Sequence, residues 1–299
     1  RHIMKRPKVQ TQFIVFNLFG DYVNPRGDTA WTSGLLDVLR VLGVGERAAR
    51  STLSRMKQKG WLRASKNGRR SAYQLTPKGK LLLEEGGRRL FGPRPTRWDG
   101  RWHLVIYSLP EALRAARSQL RTGLSWLGYG MLCPGTMIAA YPMRAEVQSL
   151  LRELEVEPYV HFFTGSQLEM AEHREIVDRC WDLPSLNRRY SAFIRRHRRA
   201  FEALLSKKAR NGRLPRDESF ELRFWATYEF SAFPREDPRL PVELLPDAWR
   251  GIEAAEVMDE LRTALKDPAE EYIDSTLGIH TRRDRDQPES VPARSEGTA

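Results

Sequence analysis

Residues 46–79, ERAARSTLSRMKQKGWLRASKNGRRSAYQLTPKG, carry the clearest structural pattern in the N-terminal third of this chain. It contains ten Lys or Arg and a single acidic residue, Glu46. Its first part has the 3.6-residue period of an amphipathic helix, and its second part has the pattern of two short strands around a tight turn. A folded segment that keeps so much uncompensated positive charge is typical of a surface that binds a polyanion.

The helix predicted over residues 46–59 has two different faces. Ala49, Thr52, Leu53 and Met56 fall on one side and are expected to pack on two earlier helices, one over residues 9–23 and one beginning after Thr32. The other side is rich in donors that base edges and phosphates accept. The residues expected on or beside this exposed side are Arg47, Arg50, Ser51, Ser54, Arg55, Lys57 and Gln58.

A basic hairpin is predicted directly after this helix. Strands over residues 61–65 and 70–75 flank the turn Lys66-Asn67-Gly68-Arg69, in which Asn-Gly accepts positive φ. A further helix begins at Thr76-Pro77, with Thr as the cap. The order predicts a winged helix-turn-helix domain over residues 8–92, with the third helix in the major groove of double-stranded DNA. The alternative, a merely solvated charged face, is disfavoured because charge, turn glycines and hairpin coincide.

The charge of the chain is concentrated in this N-terminal third. Residues 1–98 hold 21 Lys or Arg against 6 Asp or Glu, a net of +15, and the remaining 29 cations and 32 acids leave a net of −3. A localised basic module favours a nucleic-acid partner. Cys133 and Cys180 form no metal-binding motif and fit a reducing, cytoplasmic location, and no apolar run approaches the ~20 residues that span a membrane.

The rest of the chain is expected to form two further domains and a tail, which makes the fold class α+β. Residues 98–165 predict a ferredoxin-like order βαββαβ, with strands at 102–108, 129–132, 136–141 and 159–163 and helices at 111–127 and 144–154. A stiff linker covers residues 92–96. Residues 166–279 predict a mostly helical domain, with helices near 168–181, 186–206, 218–230 and 250–265, and residues 280–299 predict a disordered tail.

No pattern in the sequence supports an enzyme. There is no Ser–His–Asp arrangement, phosphate loop or dinucleotide fingerprint, and the histidines lack the spacing of metal ligands. The sequence therefore predicts no catalytic residues, no metal and no cofactor.

Three segments carry a resemblance to a known family. They are residues 45–79, which contain the winged-helix pattern; residues 98–142, WDGRWHLVIYSLPEALRAARSQLRTGLSWLGYGMLCPGTMIAAYP; and WDLPSLNRRYSAFIRR with DPRLPVELLPDAWRG, residues 181–196 and 237–251. The sequence resembles the PaaX-like family of bacterial transcriptional repressors, named for control of phenylacetate breakdown. The resemblance implies a repressor of a catabolic operon that binds a partly palindromic operator as a homodimer. It also implies release by an aryl- or acyl-coenzyme A thioester, typically phenylacetyl-CoA.

The resemblance also implies roles for individual residues. The reading positions on the third helix would be Arg47, Arg50, Ser51, Ser54 and Arg55, and those of the wing Lys66, Asn67, Arg69 and Arg70. Arg50 is predicted to read a base, because a guanidinium can donate two hydrogen bonds to guanine O6 and N7. The wing cations are expected to contact phosphate.

The middle domain resembles the fold of CRISPR-associated ferredoxin-like nucleases, which hold a metal with an acid at the end of the first strand. Here that strand ends Tyr107-Ser108-Leu109, and Glu111 in the following helix has no evident carboxylate partner. We therefore expect a dimerisation or signalling element. A nucleic-acid enzyme built on this domain is the disfavoured alternative.

A coenzyme A thioester would need cations for its phosphates, a stacking surface and an apolar pocket. The candidates are Arg188, Arg189, Arg196, Arg223, Trp225 and Tyr228. The competing interpretation, favoured for any single residue, is that these arginines line exposed helix faces or pair with acids such as Glu221 and Asp237. A regulator of the same fold, repressor or activator, that responds to a different small molecule is the alternative function.

Overall fold

The computed structural model of this protein describes residues 10–67, 70–91, 97–166 and 170–277. Within these ranges the chain is an α+β protein with two small antiparallel sheets and many helices. The predicted turn residues Gly68 and Arg69, the predicted linker at 92–96 and the predicted tail at 280–299 lie outside the described residues.

The helices and strands are numbered in chain order. The α-helices are α1 (Thr11–Leu18), α2 (Thr32–Val41), α3 (Glu46–Gln58), α4 (Pro77–Phe91), α5 (Arg114–Trp126), α6 (Arg144–Leu154), α7 (Met170–Cys180), α8 (Leu183–Asn211), α9 (Arg216–Phe230), α10 (Gly251–Ala264) and α11 (Lys266–Leu277). The strands are β1 (Thr29–Trp31), β2 (Leu62–Asn67), β3 (Arg70–Leu75), β4 (Trp102–Tyr107), β5 (Gly130–Cys133), β6 (Thr136–Ala139) and β7 (Val160–Gly165).

The described chain divides into two compact units. The first contains residues 10–86, 201–228 and 261–277, and the second contains the described parts of 87–200 and 229–260. This division groups segments that pack together, even when they are far apart in the chain. It therefore does not test the domain boundaries expected from the sequence, which remain predictions.

The first unit contains a three-stranded sheet in the order β1-β3-β2. In the β2–β3 hairpin, Leu62 pairs with Leu75 and Asn67 pairs with Arg70. Strand β1 pairs with the other edge of β3, where Trp31 lies opposite Ala72. No pattern in the sequence predicts a strand at β1. A three-residue strand has no detectable period of its own, and its partner lies more than 40 residues away.

The core of the first unit joins N-terminal and C-terminal segments. Ile14, Leu35, Leu39 and Leu53 are buried in one cluster with side chains of α9 and α11, which are Phe220, Phe224, Trp225, Ala269, Ile273 and Leu277. No helix was predicted at 266–277, where Pro268 resembles a helix breaker. Pro268 lies in the first turn of α11, where no intrahelical partner is needed for its missing N–H.

The second unit contains the sheet β5-β6-β4-β7, in which all adjacent strands are antiparallel. Its elements follow the order β4, α5, β5, β6, α6, β7 along the chain. A core formed by Val105, Tyr107, Met137, Leu120 and Val147 joins one face of the sheet to α5 and α6. Aromatic side chains, among them Trp98, Trp102 and Trp181, pack in a second cluster with Val177 of α7.

None of the helices in the described residues has the length and hydrophobicity of a membrane span.

Candidate nucleic-acid interface

Helix α3 is amphipathic, and its two faces are separated as its period predicts. Ala49, Leu53 and Met56 are fully buried in the core of the first unit, and Thr52 is 2% exposed. Gly45 precedes the helix in an extended conformation, and Gly60 follows it at φ +72°, where a left-handed backbone favours glycine. The core therefore fixes the rotation of α3 about its own axis.

The opposite face of α3 is open to solvent. All seven side chains predicted on or beside it are exposed: Arg47, Arg50, Ser51, Ser54, Arg55, Lys57 and Gln58. An open depression of about 640 Å³ lies beside the start of the helix, lined by Thr11, Gly45, Glu46, Arg47, Ala48, Ser51, Thr52 and Arg55. The structure thus brings the predicted helix residues together on one accessible surface, which we call the α3 face.

Two arginines of the α3 face make contacts within the helix. Nε of Arg50 donates to Oε1 of Glu46 over 2.8 Å, and Nη2 of Arg50 lies 2.8 Å from the same oxygen. Nη2 of Arg55 donates to Oγ1 of Thr52 over 3.3 Å. An exposed pair one helical turn apart is worth only about 0.3–0.5 kcal/mol, so these contacts add little to the stability of the helix.

The β2–β3 hairpin presents further cations in the same unit. Lys66 and Arg70 are exposed, and the guanidinium of Arg70 lies 6.0 Å from the ring centroid of Trp31 in β1. Asn67 of β2 pairs with Arg70 of β3. Arg69 and the side chain of Asn67 lie outside the described structure, so their predicted roles remain predictions.

The connection after α3 holds the hairpin in place. The backbone N–H of Thr76 donates to the carbonyl oxygen of Trp61 over 3.0 Å. A Cβ on Gly79, at the start of α4, would lie 2.2 Å from that same oxygen, so this close approach requires glycine. The ammonium of Lys59 lies 4.5 Å from the ring centroid of Trp61. These contacts fix the hairpin relative to the end of α3.

The candidate effector residues divide between the two units. Arg188, Arg189 and Arg196 lie on the part of α8 in the second unit. Nη1 of Arg196 donates to both carboxylate oxygens of Glu229, over 2.7 and 2.8 Å, and Arg189 pairs with Glu236. Arg188 is exposed. Two of these three arginines therefore have an acidic partner.

Glu229 also contacts a buried histidine. Nε2 of His197, whose side chain is fully buried, lies 2.9 Å from Oε2 of Glu229. Burial by itself would raise the pKa of Glu229, but the hydrogen bond with His197 and the charge of Arg196 outweigh it and hold that pKa below its ordinary value.

The other three candidates lie on α9 in the first unit. Arg223 and Trp225 are 5% and 4% exposed, and Tyr228 is half-buried with its hydroxyl accepting a hydrogen bond from the backbone of Gln10. The guanidinium of Arg223 lies 5.1 Å from the ring centroid of Tyr22, whose pKa is raised to about 12 by burial. The surface that the sequence suggested here is instead largely core.

Two residues that contact the candidate interface were missed by the sequence reasoning. Thr11 of α1 lines the depression, and Trp31 of β1 lies beside Arg70. Each is far in sequence from the residues that it adjoins, so no local pattern could have placed it. The contact between Glu46 and Arg50 has a local signal, since an acid four residues before an arginine on a helix is the favourable order.

Glu111 is the first acidic residue after β4 in the sequence. Glu111 is exposed and lies 3.3 Å from Nη2 of Arg117. Among the described residues, no group of three or more His, Cys, Asp or Glu is placed to hold a metal ion.

Comparison with protein families gives matches along most of the chain. Residues 10–79 match the family described as PaaX-like protein, residues 95–177 match the PaaX protein central Cas2-like domain, and residues 181–275 match the PaaX-like protein C-terminal domain.

Individual proteins are also similar to this chain. The Transcriptional repressor PaaX of Escherichia coli (strain K12) is 32% identical over 261 residues, which cover 86% of this chain and 81% of that protein. A solved structure of the uncharacterized protein Rv0674 from Mycobacterium tuberculosis has a TM-score of 0.56 and 20% identity, covering 88% of this chain and 97% of that one. At that identity the second likeness supports the fold alone.

Proposed function

This chain belongs to the PaaX-like protein family, and on that premise we propose that it is a transcriptional repressor that binds double-stranded DNA and has no enzymatic activity. The similar protein from Escherichia coli is named as a transcriptional repressor, and the match covers most of both chains. The observation that carries the proposal is the α3 face, where seven polar or basic side chains are exposed on a helix whose other side is fixed in the core.

We interpret the first unit as containing a winged helix-turn-helix. In this interpretation α2 and α3 form the helix pair, and the β2–β3 hairpin is the wing. Arg50 would donate two hydrogen bonds to a guanine in the major groove, while Lys66, Arg69 and Arg70 contact phosphates. Such a repressor acts on the chromosome, and we place it in the cytoplasm.

The first experiment identifies the operator and tests DNA binding together. Purified full-length protein selects duplexes from a random library, and the recovered consensus is then measured by gel shift against a scrambled duplex of the same composition. We expect a partly palindromic consensus and a preference of about 10³-fold or more at physiological salt. Equal binding to both duplexes would reject sequence-specific repression.

We propose that the β4–β7 segment is a ferredoxin-like domain that takes part in homodimer formation. Its strand order and its match to a central Cas2-like domain support this topology. A dimer explains a palindromic site, because two-fold symmetry in the protein is matched by symmetry in the DNA. Sedimentation of the protein with and without the selected duplex tests it, and one protomer per palindrome would contradict it.

The alternative of nuclease activity has a direct test. Since β4 ends without an acid and Glu111 contacts Arg117, we expect no metal-dependent cleavage of DNA or RNA. Cleavage with Mg²⁺ or Mn²⁺ that disappears in Glu111→Ala would favour the alternative.

We propose a coenzyme A thioester, typically phenylacetyl-CoA, as the effector that releases the protein from DNA. The support is the family, and the arginines set limits on where such a ligand binds. To reach Arg196 or Arg189, its phosphates would have to displace Glu229 or Glu236, and Arg223 is buried. Arg188 is exposed on α8.

An effector can release DNA only if it binds the free form more tightly than the DNA-bound form. Thermal-shift measurements with phenylacetyl-CoA, other acyl-CoA esters, free CoA and the free acids identify the ligand class. The same compounds are then added to the gel shift. Release by a thioester and not by its free acid supports the proposal, whereas a response to another compound alone supports the alternative regulator.

A further inference from the structure

Glu46 and Arg50 are joined on the α3 face. Oε1 of Glu46 accepts a hydrogen bond from Nε of Arg50, and Nη2 lies 2.8 Å from the same oxygen. Both side chains remain more than half exposed, at 57% and 59%. Glu46 is also the single acid among residues 46–79. The single acidic side chain of residues 46–79 therefore contacts the arginine that is predicted to read a base.

The contact uses a particular edge of the guanidinium. Arginine has five N–H donors in a rigid planar fork. Nε and Nη2 of Arg50 form its side edge, which Glu46 occupies. Nη1 and the second N–H of Nη2 form the end edge, which remains open to a ligand. Two parallel donors on that edge match the O6 and N7 acceptors of guanine.

Resting on the proposed DNA-binding function, we propose that Glu46 is a specificity-determining positioning residue. It presents the end edge of Arg50 to a guanine, and it keeps Arg50 from neutralising a backbone phosphate on unrelated DNA.

Electrostatics explain why the Glu46–Arg50 pair should affect binding to unrelated DNA and to the operator differently. Affinity for unrelated DNA comes from cations that replace the counterions of phosphates. The Glu46–Arg50 pair carries no net charge, and a carboxylate close to a phosphate is repelled. A guanine contact through the end edge leaves the Glu46 contact intact, and the arginine is already ordered before binding. The pair therefore lowers affinity for unrelated DNA more than affinity for the operator.

A purely structural role for Glu46 makes a different prediction. Glu46 lies in the first turn of α3, where a negative charge stabilises the helix N-terminus. If that were its whole role, its loss would change binding to all duplexes alike, with or without Arg50.

The experiment is a double-mutant cycle in the full-length protein. Glu46→Gln is measured alone and with Arg50→Ala, by fluorescence anisotropy on the selected operator and on a scrambled duplex across a salt series. Asp37→Asn is the matched control, since Asp37 forms an exposed ion pair of 2.8 Å with Arg40 on α2, and its loss changes the net charge equally.

In Glu46→Gln we expect binding to the scrambled duplex to tighten about threefold to tenfold and its salt slope to steepen by about one unit, as for one added phosphate contact. Operator binding should tighten less, so the ratio of operator to scrambled affinity should fall by about threefold. In the Arg50→Ala background the same change should alter that ratio by less than about twofold. Asp37→Asn should leave the ratio unchanged.

Two results would overturn this inference while leaving the proposed DNA-binding function intact. In both, the wild-type protein still prefers its operator to the scrambled duplex. One is an unchanged ratio in Glu46→Gln, and the other is an equal fall in the Arg50→Ala background. A wild-type protein without any preference would instead reject the proposed function, and the inference with it.

Discussion

Gly34 of α2 lies directly against the backbone of Thr276 in α11. A Cβ atom on Gly34 would stand 2.7 Å from the carbonyl oxygen of Thr276 and 2.8 Å from Cα of Leu277. The C-terminal helix is therefore part of the scaffold that supports α2, and α2 packs beside α3. A segment more than 200 residues away in sequence stabilises the proposed reading helix.

We expect Gly34→Ala to destabilise the protein. Alanine in place of glycine within a helix usually stabilises by about 0.5–1 kcal/mol. Here the new methyl group meets backbone atoms that cannot rotate away, and overpacking of that kind costs about 1–3 kcal/mol. The steric cost should prevail, and urea unfolding followed by circular dichroism would measure the decrease in the free energy of unfolding.

Gly87→Ala is the matched control for this prediction. Gly87 lies within α4, and a Cβ there meets no atom within 4 Å. Its substitution should stabilise the protein or leave it unchanged. Equal effects of the two substitutions would show that the contact with Thr276 is not tight in solution.

Removal of the Arg50 side chain should weaken operator binding. We expect Arg50→Ala to cost roughly 1–3 kcal/mol on the selected operator and to relax base preference at one position in each half-site. Repeating the duplex selection with the variant would reveal the relaxed position. Unchanged affinity and consensus would mean that α3 is not the reading helix.

Arg69, predicted from the sequence to lie in the turn of the wing, should behave differently from Arg50. A phosphate contact carries no base preference, so Arg69→Ala should weaken binding to operator and scrambled duplexes to a similar degree and lower the salt slope by about one unit. Arg152, exposed on α6 in the second unit, provides a cation-removal control whose substitution should leave the slope unchanged. A loss confined to the operator would assign Arg69 to base recognition instead.

Stability should depend on pH through Glu229. Burial alone would raise its pKa, but the hydrogen bond with His197 and the charge of Arg196 bring it below the ordinary value of 4.5. A pKa that is lower in the folded state adds stability above pH 4.5, and this stability is lost as the pH falls through the folded-state pKa. Glu229→Gln should therefore be less stable than wild type above pH 4.5, with a difference that narrows at lower pH.

Thermal melts of both proteins from neutral pH down to about pH 3 would test this, since the ordinary carboxyl titration falls inside that range. Glu153→Gln, at an exposed site on α6, is the control and should differ little from wild type at any pH. If the difference in stability between Glu229→Gln and wild type stayed constant with pH, the neighbours of Glu229 would not lower its pKa in the folded protein.

Local patterns predicted much of the helical structure and the exposed side of α3. The period of Ala49, Thr52, Leu53 and Met56 identified the buried side because side chains three and four residues apart share a helix face. The short strand β1 and helix α11 were not found. The interpretation of Arg223 and Trp225 as surface residues was wrong, because their burial depends on partners from other parts of the chain, including Tyr22.

Composition and a period of 3.6 residues indicate the basic character of the N-terminal third and the residues that α3 exposes, and three sequence segments indicate the family by resemblance. The packing of α11 against α2, the contacts of Arg196 and His197 with the same Glu229, and the position of Trp31 beside Arg70 are seen only in the folded protein. The reason is physical: contacts between residues far apart in the chain form when separate apolar faces are buried together, and no local spacing records which faces will meet.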